Sequence, residues 1–142
     1  MPELQNIEAL KQALARFNAG DLEGYLEVFE KSVVVHGMGR GLRPGIGGLR
    51  EYYTQLRAAF PDARLASEEI IAEGEKIAER YTFYGTHRGE YMGIAPTRKV
   101  VISPGVVMHH FRNGKIIESW HSGDSLGFLS QIGALPSLAL KR

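Results

Sequence analysis

The 142-residue chain contains no cysteine. This absence excludes disulfides, thiolate metal sites and a cysteine nucleophile, and it favours a cytoplasmic protein. No apolar run approaches the roughly 20 residues of a membrane-spanning helix, and the polar first residues have no signal-peptide core. The net charge is only +1, so the sequence lacks the basic footprint of nucleic-acid binding. We therefore expect no nucleic-acid partner and no membrane partner.

Apolar residues make up 44 % of the chain and charged residues 23 %, an ordinary composition for a globular protein. Its length predicts a single domain spanning residues 1–142. Apolar residues at spacings of three and four predict a helix over residues 4–18 and another from about residue 46 to 59. Between them, Ser32–His36 reads as a short strand, and Asp21 is placed to cap a short helix after Gly20.

After residue 62 the sequence reads almost entirely as strands, over residues 63–72, 77–86, 99–110 and 115–120. A short helix around Phe128 and Ile132 follows, and Leu135-Pro136 begins a loose tail. Helices followed by a run of strands predict an α+β fold, with helices packed on a strongly curved, mostly antiparallel sheet. Such a sheet encloses an internal cone that a ligand can occupy.

The hairpin within residues 106–124 organises the candidate site. Asn113-Gly114 between two apolar runs is a strong signal for a two-residue hairpin turn. Because side chains alternate along a strand, Met108 and His110 share one face, while His109 and Phe111 share the other. We take the face of Met108 and His110 as the pocket wall, with Trp120 and Asp124 contributed by the return strand.

His110 and Asp124 are the candidate catalytic residues. A carboxylate at the rim of an apolar cavity has its charged form disfavoured, which makes Asp124 a usable proton shuttle. His110 would orient it or hydrogen-bond a carbonyl oxygen during enolisation. The alternative for Asp124 is a purely structural role, since Ser122 or Asp124 can cap the helix that follows.

Two other features of the sequence, the glycine-rich loop and the spacing of the histidines, give weaker indications of a functional site. The glycine-rich loop 37–48 lacks the spacing of a phosphate-binding loop, and its Arg40 and Arg43 are read as solvated side chains, with an anionic ligand as the alternative. The five histidines have no metal-ligand spacing, so no metal site is predicted.

Five residues are the candidate substrate-binding set: His36, Tyr53, Phe60, Met108 and Trp120.

Three stretches together resemble the SnoaL-like polyketide cyclase family of the NTF2-like superfamily. They are Phe60-Pro61-Asp62, the segment 85–97 (GTHRGEYMGIAPT), and the segment 111–120 (FRNGKIIESW) followed by Asp124 and by 129–133 (LSQIG). The resemblance implies an α+β cone, commonly oligomeric, with a deep pocket for a small hydrophobic molecule and no cofactor. It also implies closure of a ring by intramolecular aldol condensation of an aromatic polyketide ester, with Asp124 as general acid/base and His110 as the pocket histidine.

Three functions stay open at this point. The first is a cyclase or isomerase that works through an enolate, and the second is a hydrolase or dehydratase of the same fold. The third is a non-catalytic binding or dimerisation module. A pocket that brings His110 and Asp124 together would favour the two enzymes, and their separation would favour the third.

Overall fold

The computed structural model describes residues 1–39 and 41–134. Arg40 and the tail at Leu135-Pro136 lie outside the described residues. Five strands form one sheet in the order β1-β5-β4-β3-β2, in which only the β1–β5 pair is parallel. The elements are α1 Pro2–Asn18, α2 Leu22–Leu26, β1 Phe29–His36, α3 Gly45–Ala59, β2 Arg64–Glu73, β3 Lys76–Thr86, β4 Val100–Arg112, β5 Lys115–Gly123 and α4 Ser125–Gln131.

The helices pack their apolar stripes on one face of this sheet. Leu10, Leu14 and Phe17 of α1 are buried there, as the spacing predicts. The side chain of Asp21 accepts a hydrogen bond from the Gly24 backbone N–H at 2.9 Å, which confirms the predicted cap of α2. The α+β fold predicted from the sequence is therefore confirmed.

The β4–β5 hairpin closes at the predicted turn. Asn113 and Gly114 have φ values of 52° and 77°, the positive angles that a type I′ turn requires and that Asn-Gly tolerates best. From Arg112 opposite Lys115, the pairing continues to Gly105 opposite Gly123. The hairpin thus delivers Asp124 to the end of β5, next to the start of α4.

The two faces of β4 differ in burial along the whole strand. Val101, Val107 and Phe111 face the helices and are buried, whereas Val106 and Met108 on the outer face are exposed. Among the described residues, no helix is long and apolar enough to cross a membrane. The cytoplasmic location expected from the sequence stays a prediction.

Candidate functional site

A cavity of about 580 Å³ lies between the helices and the inner face of the sheet. Leu10, Tyr25 and Tyr53 line its buried part, and Met92 and Ser125, both exposed, lie at its mouth. Apolar side chains dominate the remaining wall. The other apolar lining residues that define its shape are Leu14, Met38, Leu56, Leu65, Phe83, Val107, Phe128 and Leu129.

The register of the sheet sets the order of the polar groups along this wall. Glu79 of β3 and His121 of β5 both pair with Val107 of β4. Their Cα atoms therefore lie roughly 10 Å apart, two strand spacings, on one face of the sheet. One row further along, His109 pairs with Ser119. An acid and two imidazoles thus face the cavity from three adjacent strands.

His109 is held in place by the strand beside it. Its Nδ1 lies 2.6 Å from the hydroxyl of Ser119, and both residues are buried. Its ring also meets the edge of the His121 ring, with centroids 6.1 Å apart. Burial, with a smaller contribution from His121, lowers the pKa of His109 to about 3, and burial lowers the pKa of His121 to about 4. Both rings are therefore neutral at pH 7 and can donate a hydrogen bond only as neutral imidazoles.

Glu79 is one of the cavity residues that sequence reasoning missed. Its residue surface is only 3 % exposed, and its Oε2 has no hydrogen-bond partner within residues 1–39 and 41–134. Burial raises the pKa of Glu79 above the usual value, although a hydrogen bond with Ser67 works in the opposite direction. Because side chains alternate along β3, Glu79 lies on the same face as Ile77 and Tyr81, and this position in the sequence was the available signal.

Tyrosines supply further polar groups to the cavity wall. The hydroxyls of Tyr25 and Tyr53 lie 3.2 Å apart, and Tyr53 lines the cavity. Burial raises the pKa of Tyr25, Tyr53 and Tyr81, so these phenols stay neutral. The Tyr81 ring lies over Gly105, where a Cβ would come within 2.5 Å of the phenol oxygen. Gly105 therefore leaves the room that this ring occupies.

Asp124 lies at the mouth of the cavity. Its carboxylate accepts a hydrogen bond from the Gly127 backbone N–H at 2.8 Å and caps α4. The residue is exposed and also lines the cavity. The capping role that the sequence left open is thus present, and the same side chain faces the space where a ligand would enter.

The placement of His110, Met108 and Trp120 in the pocket was wrong. All three lie on the outer face of the sheet, where Met108 is 44 % and Trp120 37 % exposed, and the His110 ring packs on Trp120 with centroids 4.6 Å apart. The alternation was assigned correctly, but the inward face is the one that carries His109 and the large buried Phe111. If the wrong face of a strand is assigned to the core, every side chain of that strand is placed on the wrong side of the sheet.

His36 and Phe60 also lie outside the cavity wall. His36 is on the outer face, where it stacks on Trp120 and its Nε2 lies 2.7 Å from a carboxylate oxygen of Glu118. Phe60 has no exposed surface and packs against Phe83 and Phe128, behind the residues that line the cavity. It therefore supports the wall without forming it.

The described residues include Arg43 of the glycine-rich loop and all five histidines. Arg43 pairs with Glu51 at the protein surface, in agreement with a solvated side chain. Within the described ranges, no group of three or more His, Asp or Glu side chains is placed to hold a metal ion.

Comparison with known proteins identifies the class. The family model of the SnoaL-like polyketide cyclases matches residues 7–132. This match covers most of the chain, and the chain therefore belongs to the SnoaL-like polyketide cyclase family.

Individual relatives agree with this assignment. Aklanonic acid methyl ester cyclase AcmA of Streptomyces galilaeus is 32 % identical over 72 residues, which are 51 % of this chain and 50 % of that protein, so the match spans about half of the relative. The structure of AclR, a candidate hydroxylase of the same organism, is similar with a TM-score of 0.85 and 26 % identity, over 96 % of this chain and 86 % of that chain. IdmH of Streptomyces antibioticus, a candidate polyketide cyclase, has a TM-score of 0.78 and 28 % identity, over 91 % and 99 % of the two chains.

Proposed function

We propose that this protein is a cofactor-independent cyclase that closes a ring in a neutral, carbonyl-rich substrate through an enolate. The observation that carries the proposal is the wall of the cavity, where neutral His121 and His109 lie beyond a mouth that holds the carboxylate of Asp124. The described residues that line the cavity include no Lys or Arg. An uncharged ester or ketone therefore suits it better than an anion, which would lose its hydration without gaining a cation.

In this proposal Asp124 acts as general base and then as general acid. Its carboxylate removes a proton from the carbon next to a carbonyl, and the electron pair moves onto the carbonyl oxygen. His121, three residues earlier on the inner face, donates an N–H hydrogen bond to that oxygen as its negative charge grows. The enolate carbon then attacks a second carbonyl of the same molecule, and the resulting alkoxide takes the proton back from Asp124.

The contact between His109 and Ser119 has a separate role in this account. If Nδ1 of His109 accepts the hydrogen bond of the Ser119 hydroxyl, Nε2 carries the proton and can donate to a ligand oxygen. The edge contact between the two imidazoles also fixes the orientation of His121.

Aklanonic acid methyl ester, the compound in the name of the cyclase relative, is the first substrate to test. We expect the purified protein alone to convert such an ester into its cyclised isomer. Asp124→Asn is the matched control, because asparagine also caps a helix and removes only the acid. We expect this variant to keep its melting temperature and to lose turnover. If the asparagine variant turned over as fast as the wild type, Asp124 would not be the acid/base group.

Binding without chemistry is the second candidate. His110 and Asp124 do lie apart, which by the sequence criterion favours a binding module. Against this, His109 and His121 occupy the inner face that His110 was expected to occupy. A protein that bound the ester and never changed it would support the second candidate.

We further propose that the outer face of the sheet is covered by a second copy of the chain. Val106, Met108 and Trp120 are all exposed there and adjacent. Homodimer interfaces are richer in apolar surface than the rest of a protein, and monomers rarely expose large apolar patches.

Sedimentation measurements test whether a second copy of the chain covers this face. Because an unpaired charge is costly to bury in an interface, we expect Met108→Lys to sediment as a monomer and the wild type as a dimer or larger. Leu4→Lys, which changes an exposed residue of α1, is the control that should leave the assembly unchanged. A monomeric wild type would contradict the proposal.

A further inference from the structure

Glu79 has no task in the chemistry described above, although it is the acid that the fold buries most completely in the cavity wall. It is 3 % exposed, its Oε2 has no partner among the described residues, and it faces the cavity. A buried carboxyl oxygen without a hydrogen-bond partner destabilises the protein. Its presence on the wall of a ligand-sized cavity points to a partner that arrives with the ligand.

The groups around Glu79 decide what this partner can be. His121 faces it from β5 across Val107, and His109 lies one row away on β4. Both imidazoles are neutral above about pH 5, because burial lowers their pKa values to about 3 and 4. Neither imidazole therefore carries the positive charge that an ion pair with a carboxylate requires.

The groups that surround Glu79 from the helices and from β2 are not charged either. Tyr25 of α2 and Tyr81 of β3 lie close enough for the charge of Glu79 to raise their pKa values further, after burial. Tyr53 of α3 contacts Tyr25, and Ser67 of β2 hydrogen-bonds Glu79. The described part of the cavity thus surrounds Glu79 with neutral groups, and a neutral carboxylic acid fits there better than a carboxylate.

We propose that Glu79 is a substrate-recognition residue whose protonated carboxyl donates a hydrogen bond to a carbonyl oxygen of the ligand, two strands away from His121 on the same wall of the cavity. The substrate class this defines is an apolar ring system with two carbonyl groups, one for Glu79 and one for His121. The proposal rests on the proposed function only in taking the cavity as the substrate site.

Two probes of nearly equal shape isolate this hydrogen bond. 1-Tetralone carries one ketone, and tetralin is the same bicyclic skeleton without it. Titration calorimetry at pH 5.5 is expected to show that the wild type prefers 1-tetralone about tenfold, the contribution of one net hydrogen bond. Glu79→Leu should reduce this preference to less than about twofold, and Glu79→Gln, whose amide still donates, should keep most of it. His110→Leu on the outer face is the control that should change nothing.

The dependence on pH separates a donated hydrogen bond from a merely structural role. A ketone only accepts, so the wild type should lose its preference as the pH rises and Glu79 loses its proton. Glu79→Gln should keep the preference at every pH between 5.5 and 8.5. Because Glu79→Leu removes a buried acid with one unpartnered oxygen, its melting temperature at pH 8 should be at least that of the wild type.

Each outcome decides the proposal. A tenfold preference in Glu79→Leu, or a wild-type preference that grows with pH, would overturn it. Binding is read without turnover, so the two proposals fail independently. Loss of the preference in a protein that cyclises nothing would support the role of Glu79 alone, and an unchanged preference in an active cyclase would leave only the proposed function standing.

Discussion

Replacing His121 with leucine is expected to lower kcat for ring closure by about 10²–10³-fold, the usual effect of removing one donor to a developing oxyanion. The imidazole lies on the inner wall, and the partly buried neutral ring is matched in size by leucine, which has no hydrogen-bonding atom. His110→Leu is the paired experiment, because it makes the same substitution on the outer face of the same hairpin. We expect His110→Leu to retain the wild-type kcat.

The pair separates catalysis from folding. Circular dichroism melting of both variants should give temperatures close to the wild type, so that a loss confined to His121→Leu reports on chemistry. Equal losses in both variants, or a loss only in His110→Leu, would contradict the assignment of the inner face.

Acid is expected to destabilise the protein through His109 and His121 of the cavity wall. His109 has a pKa of about 3 when folded and about 6.5 when unfolded, so the unfolded chain binds more protons between these two values. The stability gained from neutral His109 is therefore present above about pH 6.5 and is lost as the pH falls. Between pH 7.5 and 4.5 this amounts to roughly 3 kcal/mol, about 1.4 kcal/mol per pH unit below 6.5, and His121 acts in the same direction.

Urea unfolding measured from pH 7.5 to 4.5 checks this expectation. Glu79 works in the opposite sense, because its raised pKa favours the folded state as the pH falls toward 4.5. The change in the free energy of unfolding of the wild type with pH therefore combines both effects. The contribution of His109 is obtained by comparing this change with the one measured for His109→Leu. We expect that variant to lose about 3 kcal/mol less than the wild type over this range. Parallel curves would show that His109 does not stay neutral in the folded protein.

The sequence predicts the fold well because the signals that decide it are local. The turn at Asn113-Gly114 requires two positive φ angles, and the helical stripe from Leu10 to Phe17 requires only a period of 3.6 residues. Neither depends on contacts between distant parts of the chain. The boundaries of the elements follow the same signals, with β5 extending to Gly123 instead of ending at Trp120.

The candidate site was harder to predict, because it depends on which face of the sheet meets the helices. Both faces of β4 carry apolar residues and one histidine, and alternation alone does not choose between His109 and His110. Phe111, on the same face as His109, was the better guide, since a large aromatic side chain next to a hairpin usually lies in the core. Glu79 was missed because its burial depends on neighbouring strands and helices that are distant in the sequence, although the alternation of β3 does place it on the same face as Ile77 and Tyr81.

Isotopic composition of the product tests the proposed function most directly. Intramolecular aldol closure forms a carbon–carbon bond and takes no oxygen from water, so turnover of the polyketide ester in water labelled with ¹⁸O should give a product of unchanged mass with no label in its new hydroxyl group. A product that lacks the new carbon–carbon bond and has either gained oxygen from water or lost the elements of water would contradict ring closure and would favour the hydrolase or dehydratase alternative.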